Sequence, residues 1–269
     1  MSIIPKHFCN PDAPPSGNGD PMSFVIEHDE WNHQPHRLPK DSKIKMGEIY
    51  GVDPYDGRRD PSGRSSWAQK VFFAYKTPAN DWRPKLAKTE SVAEAAVAIQ
   101  ALMSPDIYDV GFQPLTVNFK DETGKNTPYT HDLLLTFQTG HRRLVFVRYE
   151  RSLRKPATER AIQAILDATP RAAADDMIVV NAGDYTRQRR DNLFRMFKLC
   201  ATPDEEADAI VLRTMHVHRS IYVMNDLFPR AGIEQSRVFQ ACYRLIAARK
   251  LIANLDHVIW EHSRIGLMG

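Results

Sequence analysis

The chain has 269 residues, 36 basic against 33 acidic, a formal charge of +3, and 42% hydrophobic and 26% charged residues. Those proportions are ordinary for a globular protein and exclude collagen-like, mucin-like and wholly disordered chains. No apolar run approaches the roughly 20 residues of a membrane-spanning helix, the first residues show no secretory pattern, and the widely spaced Cys9, Cys200 and Cys242 fit a reducing cytoplasm rather than a disulfide framework.

Residues 1–21 are rich in Pro, Gly, Asn and Asp and predict a disordered tail. Residues 22–88 read as an N-terminal extension, in which SFVIEH and QKVFFAYK have the make-up of short strands separated by the long loop GVDPYDGRRDPSGRSS. From Thr89 the pattern becomes helical: TESVAEAAVAIQALM places apolar residues at 92, 95, 96, 99, 102 and 103, with Thr89 or Ser91 as cap and Glu94 at capping-box spacing from Ser91. Three strand-like runs follow, FQPLTVNF, YTHDLLLTF and RRLVFVRYE, separated by DETGKNTP and QTGH. A helix is predicted over 156–168, a buried strand over 177–182 and a second helix from Thr186 to Cys200. This order predicts an α/β fold, a mixed sheet flanked by helices, over residues 89–200. After Pro203, helices in EEADAIVLRTMH, SIYVMNDLFPRAG and EQSRVFQACYRLIAARK precede a two-stranded ribbon, the outline of a winged helix over 201–269.

The small net charge hides an uneven distribution. Residues 90–140 hold 2 basic and 7 acidic residues, whereas residues 141–198 hold 13 basic and 7 acidic. An acidic block beside a basic one suits a metal-dependent nuclease, with carboxylates for the ion and cations for phosphates.

Ordered motifs sharpen this expectation. Glu94 on the helix precedes Phe112-Gln113-Pro114, then Tyr129-Thr130-His131-Asp132, then the strand Leu144-Val145-Phe146-Val147-Arg148. The set resembles the TnsA family of transposon-end endonucleases, which have a restriction-endonuclease-like fold, and the resemblance covers about residues 70–269. It implies a core of that fold with Glu94 and Asp132 as Mg²⁺ ligands and Arg148 in the place of the catalytic lysine. It also implies duplex DNA as partner, a transposase-like protein partner and a role in recombination or transposition-like assembly. The chain departs from the family pattern at three positions. Phe146 stands where a Glu or Gln ligand is expected, Arg148 where a Lys is expected, and His131 where a Pro usually precedes the aspartate. An arginine keeps its proton at any relevant pH. The expectation is therefore a DNA-binding protein with a degenerate site, Mg²⁺ being held weakly or not at all. The alternatives are an active Mg²⁺-dependent endonuclease and a protein-interaction scaffold.

Candidate phosphate contacts are Arg142, Arg143, Arg151, Arg154 and Lys155 in one segment, and Arg187, Arg189 and Arg190 at the start of a helix. Gln235, Arg237 and Gln240 would face a major groove if residues 234–249 form a recognition helix. The histidine-rich stretch with His28, His33 and His36 matches no closed zinc spacing, and His216-Val217-His218 reads as a loop edge. No glycine-rich nucleotide loop or serine-nucleophile motif occurs.

Overall fold

The computed structural model describes residues 47–61 and 69–268. The predicted tail, the SFVIEH strand and the histidine-rich stretch lie outside the described residues.

Strands β1 (Val71–Tyr75) and β2 (Lys85–Thr89) form an antiparallel hairpin. Asp81 and Trp82, in the connection between them, both adopt left-handed backbone at φ 53° and 58°, conformations that non-glycine residues rarely hold. Helix α1 (Val92–Leu102) starts at Ser91, whose hydroxyl accepts the Glu94 N–H at 3.2 Å. Thr89 stays in the strand, so Ser91 is the cap. Every α1 residue from Ala93 to Ile99 is buried. Its alanines leave no bulk to hold neighbours away, so α1 is packed nearly all round.

The central sheet has the order β3-β6-β7-β8, with β3 (Ile107–Phe112), β6 (Leu133–Phe137), β7 (Arg142–Arg148) and β8 (Asp176–Asn181). β3, β6 and β7 pair antiparallel, and β7 pairs parallel with β8. A parallel partner requires a crossover, supplied here by α2 (Glu150–Leu153) and α3 (Pro156–Ala168). Val145 and Val147 join the core containing Ala93 and Val97 of α1, while Phe146 packs with Ile165 of α3. Alternating residues of β7 thus serve opposite faces.

Two predicted strands divide in the structure. FQPLTVNF breaks at Gln113, which has φ 48°, so its first residue ends β3 and the rest forms β4 (Thr116–Lys120). YTHDLLLTF breaks at His131-Asp132, between β5 (Asn126–Thr130) and β6. β4 and β5 pair with each other in a separate ribbon, and the two breaks lie together because the Gln113 N–H donates to the Asp132 carbonyl at 3.0 Å.

Helix α4 (Arg187–Cys200) packs on α1 and leads to α5 (Glu205–Val217). The helix expected over SIYVMNDLFPRAG is two short turns, Met224–Asp226 and α6 (Phe228–Ala231). Asp226 draws its side chain back to the N–H groups of Tyr222 and Val223, which fixes a turn there. Helix α7 (Gln235–Ala247) and strands β9 (Leu251–Ala253) and β10 (Ile265–Leu267) follow. The β9–β10 loop is bound to α4. Asn192 donates to the carbonyls of Leu255 and His257 at 2.9 and 2.7 Å, and Arg189 pairs with Asp256 through both Nε and Nη2.

Candidate functional site

Three segments bring the predicted carboxylates near one another: the start of α1, the β5–β6 junction and the end of β7. Glu94 is 6% exposed, and its carboxylate accepts the Glu90 N–H at 2.9 Å and the Ser91 hydroxyl at 3.1 Å. Asp132 is equally buried, held where the chain leaves the β4–β5 ribbon. Its contacts converge on Oδ2, which accepts the Val147 N–H at 2.8 Å and lies 3.5 Å from both the Tyr129 hydroxyl and Arg148 Nη1. Burial pushes the Glu94 carboxyl up, and the nearby charge of Asp132 adds to that. Burial also pushes Asp132 up, while Arg148 and the Val147 N–H pull it partly back. Two carboxylates in a dry setting resist double ionisation.

The cation found beside Asp132 is the chain's own. Arg148 Nη1 donates to the Val147 carbonyl at 2.8 Å, and its guanidinium lies over the Phe146 ring at 4.3 Å and the Tyr129 ring at 5.8 Å. Phe146 and Tyr129 stack obliquely with centroids 5.2 Å apart. The aromatic pair is a shelf over which the guanidinium lies.

Sequence reasoning missed Glu90. Its charge acts on both Glu94 and Asp132. Arg59 Nη2 lies 2.8 Å from its carboxylate, and Lys70 donates to its carbonyl at 3.0 Å. Its only sequence signal is its place before the Ser91 cap. Gln113 and His131 are also buried more deeply than their polarity suggests, at 2% and 0% exposure, and Gln113 Oε1 has no partner among the described residues.

The His131 tautomer follows from its neighbours. The Thr169 hydroxyl donates to the Ile165 carbonyl at 2.7 Å, so it must accept from His131 Nε2 at 3.0 Å. Nδ1 is then unprotonated, and it has no partner. Burial pushes the imidazole down to about 4. Long-range ¹H–¹⁵N NMR is expected to show a proton on Nε2 and a neutral ring at pH 6. A ring already half protonated there would disprove this assignment.

The basic residues fall into two groups. Arg143 binds Asp176 through two nitrogens at 2.8 and 2.6 Å, Arg189 binds Asp256, and Arg237 binds Asp204 at 2.8 and 2.9 Å and Glu206 at 2.6 Å. Those side chains have internal anion partners. Arg142 donates to the Ala172 carbonyl, Arg154 pairs with Glu150 at 3.1 Å, and Arg187 is 3.9 Å from Asp191. Among the described residues Arg151, Lys155 and Arg190 have no ion-pair partner. Arg151 and Lys155 are exposed and follow Arg148 closely in sequence. Gln235 and Gln240 are exposed on α7.

Among the described residues no group of three or more His, Cys, Asp or Glu side chains forms a metal site, and no helix is long and apolar enough to cross a membrane. No protein-family model and no curated protein matches the chain.

Proposed function

We propose that this chain is a duplex-DNA-binding protein with a restriction-endonuclease-like core related in design to the TnsA family, a winged-helix-like C-terminal part and an impaired cleavage site. The observation that carries the reading is the Arg148 guanidinium, 3.5 Å from Asp132 Oδ2 and stacked on Phe146. It occupies the ground on which a cleavage site would need an oxygen ligand and a titratable lysine. The topology supports the core: a helix bearing Glu94, an antiparallel run of three strands, a helical crossover and a parallel fourth strand.

The residues present do not fit a Mg²⁺ cage. Mg²⁺ asks for near-octahedral oxygen coordination. Here two carboxylates are offered, Phe146 supplies no donor, and a permanent cation stands beside one of the two. What the chain can do with its own groups is bind phosphate through the side chains free of internal partners, chiefly Arg151, Lys155 and Arg190. The proposed setting is cytoplasmic, in a recombination or transposition-like assembly with a transposase-like partner.

A plasmid assay with Mg²⁺ or Mn²⁺ is expected to show binding without nicking. Nicking that disappears in Asp132→Asn would overturn the impairment and restore the Mg²⁺-dependent endonuclease, a reading favoured by the upward-shifted carboxylates. Binding is expected to weaken steeply with salt. Arg151→Ala with Lys155→Ala should lower the slope of log affinity against log salt by about 0.9 per lost phosphate contact. Arg143→Ala should leave that slope unchanged. Absence of binding even at low salt would favour a protein-interaction scaffold, for which the engagement of Arg237 by Asp204 and Glu206 already speaks.

A further inference from the structure

A cavity lies apart from the carboxylates. It has a volume of about 590 Å³ and lies among the β1–β2 hairpin and the C-terminal ends of α1, α4 and α7. Its wall is largely apolar, including Tyr75, Trp82, Met103 and Phe197, with Cys200 at the end of α4. That size and lining suit a small organic molecule.

Two features distinguish it from an incidental hollow. Trp82 follows Asp81 in left-handed backbone and is 63% exposed as a residue while lining the cavity. A large aromatic residue held in that conformation beside an apolar recess calls for a functional account. The second feature is Arg244, whose side chain is 5% exposed. Its Nε donates to both Asp208 oxygens at 2.9 and 3.1 Å and Nη2 lies 2.7 Å from Oδ1, but neither Nη1 nor Nη2 has a hydrogen-bond acceptor among the described residues. A buried donor without a partner is costly and uncommon.

The charge on the wall selects the ligand. Lys76 and Arg244 line the cavity, and no Asp or Glu is among the described residues that do. Lys76 is exposed, with no ion-pair partner among them. The three helix ends oppose an anion with their carbonyl dipoles, but an ammonium would meet the unpaired charge of Lys76 and, on Arg244, a guanidinium that offers donors only, with its charge offset by Asp208 and no carboxylate on the cavity wall. We infer that this cavity binds a small apolar carboxylate, its hydrophobic body between Trp82 and Phe197 and its head group toward Arg244 and Lys76.

The test uses the full chain and three probes with one apolar body: naphthalene-1-acetate, its neutral amide and naphthalen-1-ylmethylammonium. Calorimetry is expected to show one saturable site, with the carboxylate about tenfold tighter than the ammonium, the discrimination a charge-assisted hydrogen bond supplies. The carboxylate should also slow the reaction of Cys200 with 2,2′-dithiodipyridine in a Cys9→Ser background. Lys76→Glu should weaken the carboxylate selectively, and Ala248→Trp, which fills the cavity without altering its charge, should abolish binding of all three probes. Both positions are exposed, and a far-ultraviolet spectrum and melting curve confirm that each variant is folded. No saturable binding at millimolar probe, equal or tighter binding of the ammonium, or binding that survives Ala248→Trp would overturn the inference.

Discussion

Asp132→Ala is expected to lower the melting temperature by about 6–12 °C at pH 7, whereas Asp132→Asn lowers it by about 3 °C or less. The first change leaves the buried Val147 N–H without its acceptor at 2.8 Å and Arg148 without its counter-ion. Together those losses cost about 3 kcal/mol, and each kcal/mol corresponds to about 2–4 °C in a unit of this size. The asparagine carbonyl still accepts from Val147 and discards a charge that burial disfavours. Differential scanning calorimetry separates the outcomes. Two variants melting together would show that Oδ2 does not hold β6 to β7.

Glu94→Gln carries the second large effect, and its sign depends on pH. The Glu94 carboxyl is raised from 4.5 to about 7 in the folded chain. Between those values the native state holds a proton that the unfolded chain has released, so the contribution of Glu94 to stability falls as pH rises and is lowest above 7. Glutamine has no such loss, and the Ser91 hydroxyl can turn to accept from its amide. The variant should match the wild type near pH 4 and exceed it by up to about 3 kcal/mol at pH 8. His131 shifts in the other direction, but it is common to both proteins and cancels in the difference. Urea melts at several pH values give the comparison; a difference independent of pH would show that Glu94 ionises freely.

The longest periodic segments were legible because their patterns are local. The helix over 156–168 has the predicted bounds, and α1 begins at one of the two predicted caps, Ser91. The breaks at Gln113 and His131-Asp132 were not legible, since each lies inside an apolar-rich run and is fixed by the other through the Gln113–Asp132 backbone bond. The strand Ile107–Phe112 was missed for a related reason: Asp109 and Gly111 dilute its alternation, while its register is set by β6. At the site, the pairing of Glu94 with Asp132 was implied by the family resemblance alone, and the shelf beneath Arg148 was implied by nothing in the sequence. Phe146 read as the loss of a ligand, and only the fold reveals that its ring supports the guanidinium. The arginines show the same limit. Arg143, Arg189 and Arg237 look identical in sequence to Arg151, and their carboxylate partners lie 33, 67 and 33 residues away.

The attachment of the β9–β10 loop to α4 also bears on the order in which the molecule can be built. Asn192 is 1% exposed, and its amide is satisfied by the backbone of Leu255, His257 and Ile259, residues 63 to 67 positions further along. While the chain is being synthesised, α4 must wait for that loop with a buried-type amide still facing water. Contacts over such separations delay folding. The sheet can therefore assemble on the ribosome ahead of α4's outer face, which closes only once residue 259 has emerged.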